Sequence, residues 1–170
     1  MRFLSGLILS VSLLGLAHMT SVEVAQVDPP LCTVTITAPE TSIKVGSEVK
    51  LDIATKNVSD RTIYVVYSTV GRNMKIDVRD SEGNPVSETP FGLKVHGTDP
   101  KRAPFAGTVF STRVSLKPSE TSQEKLVLDK EYDLTKPGRY SIRVQRSDVL
   151  SDTNTVIFVK SNTIIVTVTP

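Results

Sequence analysis

The 170-residue chain has no tryptophan, one cysteine and two histidines. A lone cysteine excludes an internal disulfide, so the fold has to rest on its packed core. With no tryptophan and only 5% aromatic residues, there is little material for a carbohydrate platform or a base-stacking surface. A surplus of one charge is also missing. The 20 basic and 18 acidic side chains nearly balance, and no basic stripe runs along the chain, which argues against a nucleic-acid partner. Catalytic constellations are absent too. No serine sits in Gly-x-Ser-x-Gly, and no glycine-rich phosphate loop follows a strand. Asp52 and Asp77 fall on the outward phase of their strands, and His96 stands alone in a Pro/Gly-rich segment, where an exposed polar side chain is the simplest expectation. These absences predict a protein that is not an enzyme and carries neither cofactor nor metal.

What is present begins with a leader. Met1-Arg2 is positive, Phe3 to Ala17 is apolar, and Gly15-Leu16-Ala17 offers small residues for cleavage before His18. The apolar run falls short of the ~20 residues a membrane helix needs. Residues 1–17 are therefore expected to be a signal peptide, with export to the periplasm or the extracellular space. Residues 18–31 are expected to form an extended tether ending at Pro29-Pro30, and 32–170 a single domain. Cys32 follows Asp28-Pro29-Pro30-Leu31, which lacks the small residues that precede a lipidated cysteine. A buried side chain at the start of a strand is the expectation there.

Period-two alternation dominates the domain. Val34, Ile36 and Ala38 alternate with threonines, and Val49, Leu51 and Ile53 form the next inward face. Thr62 to Tyr67 is apolar on both faces, and Met74, Ile76 and Val78 alternate with Lys75, Asp77 and Arg79. Val114 and Leu116 point toward a core, Leu126 and Leu128 follow, and Val156–Val159 and Thr163–Val168 read as two strands divided by Lys160-Ser161-Asn162. Between them, Pro137-Gly138 reverses the chain, and Tyr140, Ile142 and Val144 alternate with Arg139, Ser141 and Arg143. A tyrosine in that position suits a tyrosine corner, with its hydroxyl bonded to upstream backbone. About nine short strands and no helical pattern predict an all-β fold, an immunoglobulin-like antiparallel β-sandwich.

Two polar stretches read as turns. Asn57-Val58-Ser59 matches an N-glycosylation acceptor but sits where a hairpin turns. Asp80 to Pro85 has the acids and glycine of a calcium loop but too few ligands; a minor calcium site would need Asp80, Glu82, Asp148 and Asp152 together. Residues 85–107 are the irregular part, broken by Pro85, Pro90, Gly92, Gly97, Pro100, Pro104 and Gly107. Phe91, Leu93, His96, Arg102 and Phe105 make it the expected recognition surface, with an ordinary surface connection as the plainer alternative.

Leu116-Lys-Pro-Ser-Glu120 followed by Tyr132-Asp-Leu-Thr-Lys-Pro-Gly-Arg-Tyr140 resembles the C-terminal half of immunoglobulin-like domains in exported bacterial proteins. It is also similar to the domain preceding the catalytic domain of deuterolysin-type metalloproteases, with Ser119 where that pattern often has glycine. No His-Glu-x-x-His motif is present, so the protease activity does not carry over. Asn57–Asp60, Met74–Asp80 with Glu82-Gly83, Pro118–Glu120 and Pro137–Tyr140 resemble the BsuPI-like proteinase inhibitor family over residues 57–144. The resemblances imply the fold. The expected function is a non-catalytic exported module binding a protein or cell-envelope partner. A protease inhibitor acting through 85–107, and a structural component joined at an edge strand, are the alternatives.

Overall fold

A computed structural model describes residues 30–68, 74–101, 111–150 and 156–170. The expected signal peptide, the tether up to residue 29, Arg102, Phe105 and Asp152 lie outside the described residues. Nine strands are described: β1 Cys32–Thr37, β2 Ser42–Lys44, β3 Lys50–Asn57, β4 Ile63–Ser68, β5 Met74–Arg79, β6 Ser111–Leu116, β7 Thr121–Val127, β8 Gly138–Leu150 and β9 Val156–Thr169. They form an all-β sandwich of immunoglobulin-like type. One sheet has the order β1-β3-β7, and the other β2-β9-β8-β4-β6, with β5 sharing the free edge of β8 with β4.

The alternation places the core as expected. Ile36 opposes Ile53 across β1 and β3, and both are fully buried against Ile142 and Val144 of the facing sheet. Burying each such side chain contributes about 1.5–3 kcal/mol. A second, smaller cluster joins Cys32, Ile63, Val65, Leu116 and Val149, so the cysteine is buried as expected. The tyrosine corner is present: Tyr140 packs in the core and its hydroxyl donates to the Lys136 carbonyl at 2.7 Å.

Other expectations are corrected. β2 is a three-residue strand and runs parallel to β9, so the sandwich is not wholly antiparallel. The two strands expected over 156–168 are the single β9. Ser161 and Asn162 fall where the β8–β9 pairing shifts register, and the strand runs on while their side chains serve its neighbours. Ser161 Oγ accepts from the Val144 N–H at 2.9 Å, and Asn162 pairs with both backbone groups of Ile36 at 2.8 and 3.0 Å. That amide stitches β9 to β1 across the edge of the sandwich. Leu128 leaves the β7 alternation for a 3-10 turn at Leu128–Lys130, although it stays buried. Val114 shares the inward phase of Leu116 yet is 38% exposed, because β6 ends a sheet wider than the one facing it.

Both polar stretches are turns. Asn57 is fully buried, with Nδ2 donating to the Arg61 and Leu116 carbonyls and Oδ1 accepting from the Ser59 N–H. An amide so engaged is closed to a glycan. Asp80 Oδ1 accepts the N–H groups of Glu82 and Asn84, both at 2.9 Å, around Gly83 at φ +85°.

Candidate functional site

The segment after β5 was expected to be irregular; its centre is a helix, α1, at Pro90–His96. Local chemistry builds it. The Thr89 hydroxyl accepts from the Gly92 N–H at 3.0 Å, Pro90 fills the first turn where no donor is needed, and Gly97 ends the helix at φ +71°. The helix is then fastened to the 3-10 turn. The Thr89 N–H donates to the Glu131 carbonyl at 2.9 Å and its hydroxyl to the Lys130 carbonyl at 2.5 Å. A bridge between Glu88 and Tyr132 aligns the two segments.

At the far end of α1 lies His96, and it is not the exposed side chain expected. Nδ1 faces Glu88 Oε1 at 2.5 Å, and Nε2 faces Glu131 Oε2 at 2.8 Å. The Thr98 hydroxyl holds the other Glu88 oxygen at 2.5 Å. The Tyr132 ring stands 5.6 Å from the imidazole, and its hydroxyl donates to the Ile76 carbonyl at 2.8 Å. Glu88, His96, Thr98 and Tyr132 line a pocket of about 250 Å³ with Met74, Lys75 and Ile76.

The electrostatics favour an imidazolium that donates from both nitrogens. The bond to Glu131 raises the His96 pKa, burial opposes it, and the Glu88 bond and both carboxylate charges add to the rise. Burial pushes Glu88 up, but the Thr98 and His96 bonds and the His96 charge outweigh it and hold the carboxyl below its usual range. Burial pushes the Tyr132 hydroxyl up, so it stays protonated as a donor.

A pH dependence follows. His96, raised in the fold, contributes fully below its ordinary 6.5 and loses that contribution as pH rises through the folded value. Glu88, lowered in the fold, contributes fully above its ordinary 4.5 and loses it as pH falls through the folded value. Urea midpoints should therefore hold a plateau between 4.5 and 6.5 from this cluster and fall on the alkaline side. His96→Gln should flatten the alkaline fall; an unchanged profile in that variant would assign it elsewhere.

Chemically, the cluster is a clamp. A general base needs a free nitrogen and His96 offers none. A metal needs convergent donors, but the two ring nitrogens point at different carboxylates, and among the described residues no three metal-ligating side chains converge. Of the expected recognition residues, Phe91 is exposed on α1, Leu93 is half-buried and His96 is inside the clamp. Sequence reading missed Glu88, Gly92, Thr98, Glu131 and Tyr132 as partners of this segment. Only Thr89-Pro90 and Gly97, a helix start and stop, signalled its shape.

No protein-family model and no curated protein matches the chain, so the likenesses to BsuPI-like inhibitors and to the deuterolysin-associated domain rest on the quoted motifs alone. Solved structures show loose likeness. The CARDB domain of a Pyrococcus furiosus protein, determined with di-metal ions, is 18% identical over 82% of this chain and 89% of its own, with a TM-score of 0.37. Sporulation control protein Spo0M from Bacillus subtilis is 12% identical over 84% of this chain, which spans 51% of Spo0M, at a TM-score of 0.43. The bacterial hydrophobin BslA is 13% identical over 84% of this chain and 99% of its own, at 0.39. At such scores no site carries over from one to another.

Proposed function

We propose that the chain is a non-catalytic, exported immunoglobulin-like module that binds a protein or cell-envelope partner through the outer side of α1. Phe91 carries this reading: it is 53% exposed on a helix locked by the Thr89 cap, Gly97 and the His96 clamp. A rigid aromatic anchor loses little freedom when a partner covers it, which is the chemistry of an interface hot spot. The fully engaged His96 supports the non-catalytic half of the reading, and the leader in the sequence supports export. The alternative, a protease inhibitor acting through 85–107, would present the same seven-residue helix to a protease.

The test is capture from envelope and secreted fractions by the full chain and by Phe91→Ser. A partner held by the first and lost by the second, at equal melting temperature, supports α1 as the contact. Equal capture by both overturns it. Inhibition of a protease panel, abolished by the same substitution, would replace the module reading with the inhibitor.

A further inference from the structure

The outward face of the larger sheet is unlike anything visible along the chain. Lys75 opposes Gln145, Asp77 opposes Arg143 and Arg79 opposes Ser141 across β5 and β8. Arg143 opposes Thr163, Arg139 opposes Thr167 and Gln145 opposes Lys160 across β8 and β9. All these positions are out of phase with the buried Ile76, Val78, Ile142 and Val144, so they face solvent together. Neighbouring strands lie about 4.8 Å apart and same-face residues about 7 Å apart, so these cations share one field. Asp77 is the carboxylate on this stretch among the described side chains, and it is shared between Arg79 at 3.1 Å and Arg143 at 3.5 Å.

The same face continues into an apolar end. Phe158 is 71% exposed and Val156 is 44% exposed, both beside the tip of the β8–β9 hairpin. Ile157 and Val159 alternate with them and pack against the smaller core cluster, so Phe158 shares its face with Lys160 two residues on. Protruding apolar side chains joined to a cationic surface match the boundary of an anionic bilayer, where headgroups meet lysine and arginine while aromatic and aliphatic groups enter the acyl margin. A soluble polyanion would answer the charges and leave Val156 and Phe158 in water.

From this we propose that the outward face of β5, β8 and β9 docks peripherally on an anionic lipid bilayer, with Phe158 and Val156 inserting at its edge. This goes beyond the α1 contact at Phe91, which is tested separately. The experiment is co-sedimentation of the full chain with phosphatidylcholine vesicles, with and without phosphatidylglycerol. Every variant keeps the same N-terminal segment, so any binding by that segment is common to all. Wild type should prefer the anionic vesicles by about ten-fold or more. Arg139→Glu with Lys160→Glu should remove that preference, and Phe158→Ser should weaken anionic binding by about five-fold. Phe91→Ser should change nothing, which separates this result from failure of the α1 reading. If the charge reversal lowers the melting temperature, Arg139→Gln with Lys160→Gln should still reduce the preference. No binding, or equal binding to both vesicle types, overturns the proposal. So does single-stranded DNA that binds wild type and Phe158→Ser alike and displaces both from vesicles, since that would make the face a polyanion site.

Discussion

Gly92→Ala is expected to lower the unfolding free energy by about 2–3 kcal/mol, although it raises helix propensity at a helical position. The added Cβ would lie 2.1 Å from the Glu131 carbonyl oxygen and 2.9 Å from its carbon, both backbone atoms of the adjoining turn. Neither can step aside cheaply, because that oxygen already accepts the Thr89 N–H that anchors the helix start. Relief requires α1 to lift from the turn. Lifting draws Thr89 away from the Lys130 carbonyl and His96 away from Glu131. Overpacking and lost ties therefore act together, and thermal melting should fall by about 6–10 °C. A second readout is specific to the mechanism: the alkaline loss of stability should shrink, since a lifted His96 no longer meets both carboxylates. Phe91→Ala, one residue away on the exposed side, should stay within about 0.5 kcal/mol of wild type. A Gly92→Ala protein that melts like wild type would show that this close approach is not maintained in solution.

The contrast between these neighbours shows where the fold was legible. Strands with one wet and one dry face announce themselves, because the period of two and the burial are the same fact. Val34 and Ile36, Leu51 and Ile53, and Tyr140 through Val144 were placed correctly on that ground. The Tyr140 corner was legible because a turn and a strand start fix where the hydroxyl can reach. α1 was not, since its seven residues span less than two full turns, too few for an apolar period to repeat. β2, with three residues, is shorter still. Ser161 and Asn162 looked like a break because their partners, Val144 and Ile36, are 17 and 126 residues away. Ser119 is a smaller case. It holds φ +69°, a left-handed conformation that glycine adopts most readily, and nothing in the residue type announces it.

The site was harder for the same reason. His96 lies 8 residues from Glu88 and 35 from Glu131, and no spacing rule connects positions that meet only through a helix and a 3-10 turn. The cationic face is the extreme example. Its members alternate along separate strands of a chain with nearly balanced charge, so a linear scan finds no stripe. Strand pairing alone collects them, and pairing was the part of the fold the sequence left open.

Glu124→Met should be strongly destabilising, at about 2–4 kcal/mol because Arg146 is buried while Glu124 keeps some contact with water, and adding Arg146→Met should recover most of the loss. Tyr140, Ile142 and Val144 set the inward phase of β8, and Arg146 continues it, leaving a guanidinium 1% exposed in the sandwich. It lies between the two apolar clusters and reaches across from the larger sheet to the smaller. There it pairs with Glu124 of β7 and donates to the Thr55 hydroxyl of β3 at 3.2 Å. The Tyr67 ring lies 5.9 Å from its charge, and the Tyr67 hydroxyl bonds Ser122 beside Glu124. Removing the carboxylate takes away a charge that faces this buried cation, so the desolvation of the guanidinium is less fully offset by attraction. Removing both charges trades the pair for two thioether chains that can fill similar space. Denaturant titration of the four proteins in this cycle gives the coupling directly. A large coupling with a double variant near wild type means that the pair selects this sheet alignment rather than supplying net stability. A double variant as weak as Glu124→Met alone would mean that Arg146 holds the sheets through its wider bonding, with Glu124 one contributor among several.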